Sequence, residues 1–147
     1  MTTPLAMRSG PRPVVSVTLD STVMDAVRVM SAQNISAIVV LDGMRLAGVF
    51  SERVVLRRVV LPGRDPDKTP VAEVMTRTVL TVRETSDRSA ALRIMTDHHV
   101  RHLPVVDVEG RVLTMLSMRD LLRAEVQDLE QTVWELAAET AIDGPGG

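Results

Sequence analysis

Val100-Arg-His-Leu-Pro-Val-Val-Asp107, continuing through Gly110 to Leu116-Ser-Met-Arg-Asp120, reads as strand, turn, strand and the opening of a helix on Ser117-x-x-Asp120. A weaker copy lies upstream: Ile35-Ser-Ala-Ile-Val-Val-Leu-Asp42, a turn at Gly43, then Val49-Phe-Ser-Glu-Arg53. The two copies keep a constant spacing. Val14 and Val79 stand 65 residues apart, and the same offset relates Val17 to Val82, Ala26 to Ala91, Arg28 to Arg93, Met30 to Met95, Val40 to Val105 and Asp42 to Asp107. The second turn holds one more residue, so beyond it the offset is 66, relating Arg45 to Arg111, Ser51 to Ser117, Arg53 to Arg119 and Leu56 to Leu122. Single valine matches carry little weight. A fixed offset through strand, helix, strand and helix cap marks an internal duplication.

Each copy reads as β-α-β-β-α. In the first, residues 14–17 form a β-branched strand, and Asp20-Ser21-Thr22 supplies N-cap types. A helix over 23–33 follows, with Val23, Ala26, Val27 and Met30 on one face. The apolar run 37–41 is a strand buried on both faces. Asp42-Gly43 turns it into a partner strand over 46–50, and Ser51 caps a second helix over 52–60. Pro, Gly and Asp make 61–69 a linker, after which Thr69 as N-cap and Pro70 at the first helical position start a short helix to Met75. The crossover joins parallel strands and is right-handed by the general rule. A unit of about 60 residues is hard to stabilise alone, so the copies are expected to bury their apolar surface against each other. The predicted fold class is α/β (α+β): two β-α-β-β-α repeats about a pseudo-two-fold axis, plus a long C-terminal helix. In residues, the organisation is a flexible lead-in (1–12), first repeat (13–60), linker and short helix (61–77), second repeat (78–123), helical extension (124–142) and flexible tail (143–147).

Composition excludes several classes of function. Hydrophobic residues make up 45 % of the 147, enough for a packed interior, yet Phe50 and Trp134 are the only aromatics. That disfavours a stacking platform for single-stranded nucleic acid. A net charge of −2 leaves no polyanion-binding footprint. Cysteine is absent, which removes disulfides, thiolate metal sites and a thiol nucleophile. No stretch reaches the roughly 18 apolar residues of a membrane span, and the N-terminus lacks a signal-peptide core. The expectation is a soluble, cytoplasmic protein without nucleic-acid or membrane partners. His98 and His99 end a helix while His102 starts a strand, so they share no face for a metal. The nine methionines fit core filling. No nucleophile elbow, glycine-rich phosphate cradle or catalytic carboxylate pair is present, and no enzyme is expected.

Val100–Asp107, Leu116-Ser-Met-Arg-Asp-Leu-Leu122 and Gly48-Val-Phe-Ser-Glu-Arg53 together resemble the cystathionine-β-synthase-like (CBS) domain. The chain is similar to a stand-alone tandem pair, a Bateman module, over about residues 13–123. The resemblance implies a regulatory module that holds an adenine nucleotide or related adenosyl ligand (AMP, ADP, ATP, NAD or S-adenosylmethionine) between the repeats and signals to an effector protein. Carried onto this chain, it implies Ser117 and Asp120 as the ribose pair and Met115 against the base. Arg101 and His102 would face the phosphates, and Ile35 and Ser36 would close the other wall. The residue chemistry suits these roles. An ionised Asp120 accepts charge-assisted hydrogen bonds from two vicinal hydroxyls, and Arg101 offers a planar fork to phosphate. Ser-x-x-Asp at a helix start is also a capping-box pattern, and both roles stay open on sequence. In the first repeat Val54 stands where the acid should be. The two clefts are therefore expected to be unequal, one competent at Asp120 and one weak or empty at Val54. The alternative is a structural or interaction protein with vestigial clefts, acting through dimerisation and its last helix.

That helix is expected from Met118 to about Ala141. Leu122, Val126, Leu129, Val133 and Leu136 are spaced 4, 3, 4, 3, a heptad seam longer than the repeat needs. In a parallel pair Glu125 would face the partner's Glu130 and repel it, so an antiparallel pairing or docking on the partner's body is favoured. Trp134 is a candidate anchor. A homodimer is expected.

Overall fold

The computed structural model describes residues 14–142; the expected lead-in and tail fall outside the described residues. The first unit runs β1 (Ser16–Thr18), α1 (Val23–Gln33), β2 (Ala37–Asp42), β3 (Arg45–Ser51) and α2, which opens as Glu52–Val54 and continues as a π-helical turn over Val55–Val60. A 3-10 turn, Val71–Glu73, follows the linker. The second unit runs β4 (Val82–Arg83), α3 (Arg88–His98), β5 (His102–Val106), β6 (Val112–Ser117) and α4 (Met118–Ile142). No helix among the described residues is long and apolar enough to cross a membrane.

The duplication is visible in detail. Each unit holds a three-stranded sheet, β1-β2-β3 or β4-β5-β6, with a parallel pair then an antiparallel hairpin. Register shifts fall between Val40 and Leu41 in one hairpin and between Val105 and Val106 in the other, the same place at the 65-residue offset. Both crossover helices have 11 residues and end on a left-handed residue, Asn34 (φ 54°) or His99 (φ 55°). Asn and His are among the non-glycine residues that most readily accept this conformation. An antiparallel bridge between Arg45 and Arg111, equivalent positions of the two copies, joins the hairpins.

The cores follow the same logic. Val17, Ala26, Met30, Ile38, Val40 and Phe50 are buried in the first unit, and their counterparts Val82, Ala91, Met95, Leu103, Val105 and Leu116 in the second. The linker packs with the first unit, to which it contributes Val71, Val74 and Met75. Its carbonyls also satisfy the first turn of α1: the N–H groups of Val23 and Met24 donate to Thr69 O (2.9 Å) and Pro66 O (3.0 Å).

Two local expectations are corrected. Thr69 does not cap the short helix; its hydroxyl donates to Asp65 O at 2.7 Å, and extended Pro70 (ψ 140°) occupies the N-cap position. The second half of α2 is wider than an α-helix, with Leu61 N–H donating to Leu56 O five residues back. Valines at 54, 55, 59 and 60 weaken the α preference there. Arg58 ties this turn to the linker through bonds to Val74 O (2.8 Å) and Met75 O (3.0 Å).

Candidate functional site

A cleft of about 830 Å³ lies between the units. That is within the ~300–1,000 Å³ usual for small-molecule sites. The first unit contributes the approach to β1 (Val14, Val15) and the turn from α1 into β2 (Asn34, Ile35, Ser36, Ala37). The second contributes Arg101 and His102 at the start of β5, Thr114 and Met115 on β6, and Ser117, Met118, Arg119, Asp120 and Leu122 where β6 runs into α4. All seven residues singled out in the sequence (Ile35, Ser36, Arg101, His102, Met115, Ser117 and Asp120) thus line one cavity.

Backbone bonds hold these segments in place. Met118 N–H donates to Arg101 O at 2.8 Å, which pins the start of α4 beside the entry to β5. The equivalent bond in the first unit, Glu52 N–H to Ser36 O at 3.0 Å, pins the opposite wall. Across the cleft, Ser36 Oγ and His102 Nε2 share a hydrogen bond at 3.2 Å.

The helix start separates the two roles of Ser117-x-x-Asp120. At α1 the capping box is complete: Asp25 N–H donates to Thr22 Oγ1 and Thr22 N–H donates to the Asp25 carboxylate, both at 3.0 Å. At α4 only the serine half is made, with Asp120 N–H donating to Ser117 Oγ at 3.1 Å. Among the described residues the exposed Asp120 carboxylate accepts no hydrogen bond, so its oxygens remain available to the cleft. In the first unit Ser51 Oγ likewise accepts from Val54 N–H (3.4 Å), but Val54 itself is buried in the core. The position equivalent to Asp120 therefore offers no acceptor.

Electrostatics centre on His102. Its partial burial disfavours the imidazolium and holds its pKa below the ordinary 6.5, and Arg101 pushes the same way. The carboxylates of Asp120 and Glu52 pull in the opposite direction without reversing the shift. The cleft thus has cationic guanidinium groups at Arg101 and Arg119, an acceptor at Asp120 and a polar bridge between its walls. Among the described residues no group of three or more His, Asp or Glu is placed to hold a metal.

Sequence reading missed Arg119, Thr114 and Asn34. Arg119 had a signal, since it keeps its match with Arg53 and precedes the acid by one residue. Thr114 and Asn34 had none, because only the packing of the units brings them to the same space. A second groove of about 720 Å³ adjoins the first and shares Asn34, Ile35, Ser36 and Arg119 with it; Glu52, Val55 and Leu56 line its far side.

Comparison with known proteins agrees with this architecture. The chain is 35 % identical over 126 residues, 82 % of its length, to a mitochondrial CBS domain-containing protein of Arabidopsis thaliana. It spans 61 % of that protein's length, and 46 % of an archaeal relative from Methanopyrus kandleri. A CBS-domain protein from Agrobacterium tumefaciens superposes with a TM-score of 0.74 at 30 % identity, covering 84 % of this chain and 99 % of the other. A CBS domain protein from Pyrobaculum aerophilum, solved in complex with AMP, gives 0.76 at 27 % identity, covering 88 % and 99 %. The CBS domain model matches twice, over residues 7–61 and 71–127, and the chain belongs to the CBS-domain family as a tandem pair.

Proposed function

We propose that the chain is a non-catalytic regulatory module that binds an adenine nucleotide or related adenosyl ligand in the cleft at Asp120 and passes its occupancy to a partner protein. The observation that carries this reading is the Asp120 carboxylate. It stands on the wall of a cleft with both guanidinium groups, and the cap of its helix does not use it. Asp120 takes the two ribose hydroxyls, Met115 and Ile35 flank the base, and Arg101 with Arg119 faces the phosphates. The AMP complex of the Pyrobaculum relative supports the ligand class. AMP, ADP, ATP, NAD and S-adenosylmethionine are the candidates. The Val54 side of the pair lacks the acceptor, so one ligand binds per chain. Signalling is a population shift, in which the ligand binds one arrangement of the two units better than another.

Thermal unfolding with each candidate tests this, wild type beside Asp120→Ala. A ligand present at a hundred times its dissociation constant stabilises the native state by roughly 2.7 kcal/mol. The expected result is a raised midpoint with at least one candidate, lost in Asp120→Ala. A wild type that none of them moves would overturn the reading. It would favour the second one, an interaction protein with vestigial clefts, for which the exposed face of α4 is the supporting observation.

A further inference from the structure

The C-terminal helix carries an apolar face that nothing among the described residues covers. Leu122, Val126, Leu129, Val133 and Leu136 are 50 %, 52 %, 61 %, 64 % and 57 % exposed. The helix meets its own unit along a different side. Leu121 is buried there, and Glu125 and Asp128 form ion pairs with the buried Arg88 of α3, at 2.6 Å for Glu125. At about 100° per residue, the seam is turned roughly a quarter of a circumference away from that side. It therefore faces outward, and its 4-3-4-3 spacing is that of a helix built to meet another helix.

The charges beside the seam select the occupant and its register. In a parallel pair of copies Glu125 would face the partner's Glu130 on both sides. Three antiparallel registers keep the seam in contact. Setting Val126 opposite the partner's Leu122 brings Arg123 to Arg123 and Glu125 to Glu125. Setting it opposite the partner's Leu136 brings Glu130 to Glu130 and Glu125 to Glu139. Setting it opposite the partner's Leu129 brings Arg123 to the partner's Glu130 twice, while Glu125 meets Thr132. Of these arrangements only the last has attractive pairs and no like-charged ones. Arg123 and Glu130 are both exposed and form no ion pair among the described residues, so both are available.

We infer that α4 pairs antiparallel with a second copy of this chain, with Val126 against the partner's Leu129, Leu122 against the partner's Val133, and Arg123 against the partner's Glu130. This does not rest on the ligand reading of the cleft. The absence of cysteine from the chain gives a clean test. Leu122→Cys and Val133→Cys variants are oxidised separately and as a mixture. In the inferred register the two positions face each other across the pair. Equivalent positions are 11 residues apart along the axis, about 16 Å, beyond the ~4.4–6.8 Å between Cα atoms that a disulfide spans. The expected result is a covalent dimer from the mixture and none from either variant alone. Both positions are exposed, so neither substitution disturbs a core. In sedimentation, Glu130→Arg weakens association roughly tenfold, and Arg123→Glu combined with Glu130→Arg restores it. Cross-linking of each variant alone would show a parallel pair and overturn the inference. A chain that remains monomeric, or that associates equally well with Glu130→Arg, would overturn it too and leave the seam to a different protein.

Discussion

Ser117 and Asp120 divide the work at the start of α4, and single substitutions can separate them. Ser117 Oγ holds the Asp120 N–H, so Ser117→Ala removes a cap and costs about 1 kcal/mol in denaturant unfolding. Asp120→Ala keeps that backbone bond and removes only a carboxylate with no partner among the described residues. Its unfolding free energy should stay within about 0.5 kcal/mol of wild type, while the ligand-induced thermal shift disappears. Equal losses of stability in the two variants would mean that the acid is part of the cap after all. His102 gives a pH-dependent prediction. Its folded-state pKa lies below 6.5, so between that lower value and 6.5 the unfolded chain binds a proton that the folded chain refuses. The stability from neutral His102 is complete above about pH 6.5 and is lost as pH falls through that window. Urea midpoints across the window should decline in wild type and decline less in His102→Gln. Asp120→Asn removes a charge that favours the imidazolium, so the His102 resonance should titrate still lower. A titration midpoint at or above 6.5 in wild type would contradict the electrostatic account.

At the scale of elements, the chain is held together where the two copies differ. Val23 is fully buried in the first unit, but its counterpart at the 65-residue offset is Arg88, also buried, which pairs with Glu125 and Asp128 on α4 of its own unit. That one exchange docks the long helix on the second unit. Arg88→Val restores the pattern of the first copy and breaks both ion pairs. The charge-assisted hydrogen bond to Asp128 alone is worth about 1.5–3 kcal/mol, so amide exchange in α4 beyond Arg123 should speed up at least about tenfold. Unchanged exchange would show that Leu121 and its neighbours hold the helix without help. Gly48 marks the other junction. A Cβ there would lie 2.6 Å from Met75 Sδ and 2.7 Å from Thr76 O, because the linker strand pairs with β3 at Val49. Gly48→Ala should destabilise the first unit by about 1–3 kcal/mol in equilibrium unfolding. The helices and hairpins were legible because their cues are local: the apolar period of Val23–Gln33, the Asp42-Gly43 turn, and the fixed offset. The Arg88 contacts were not, since a mismatched residue inside a repeat says that something changes but not what it reaches. Thr69 was misread for a related reason: its residue type suits a cap, but the fold of the linker takes its hydroxyl to Asp65 instead. The seven candidate site residues come from the edges of several elements; the duplication predicted a cleft between the copies, and only the resemblance to CBS pairs pointed to these residues within it.

On the scale of the whole molecule, the cleft and the seam share residues, so the proposed ligand binding and the inferred pairing are expected to depend on each other. Leu122 lines the cleft and is also the first seam residue, and Arg119, one turn earlier, lines the same cavity. In the inferred antiparallel register the partner's Val133 packs on Leu122, and the partner's Leu136 lies over the stem of Arg119. Each chain then supplies part of the rim of the other's cleft. The partner orders two side chains that a monomer must order on its own when the ligand arrives, and that saving appears as affinity. Linkage requires reciprocity: whatever factor dimerisation adds to ligand affinity, ligand adds to dimerisation. The weakly associating variant Glu130→Arg changes neither Leu122 nor Arg119, so at a concentration where it is monomeric and the wild type is dimeric it isolates the partner's contribution. With AMP as probe, its dissociation constant should rise about fivefold or more over the wild-type dimer, and AMP should tighten wild-type association by the same factor in sedimentation. The charge-swapped double variant should recover both effects together. If AMP binds monomer and dimer equally well, the two devices are separate: the cleft would still sense its ligand and the seam would still pair, but occupancy would have to reach the partner protein through the angle between the two units alone.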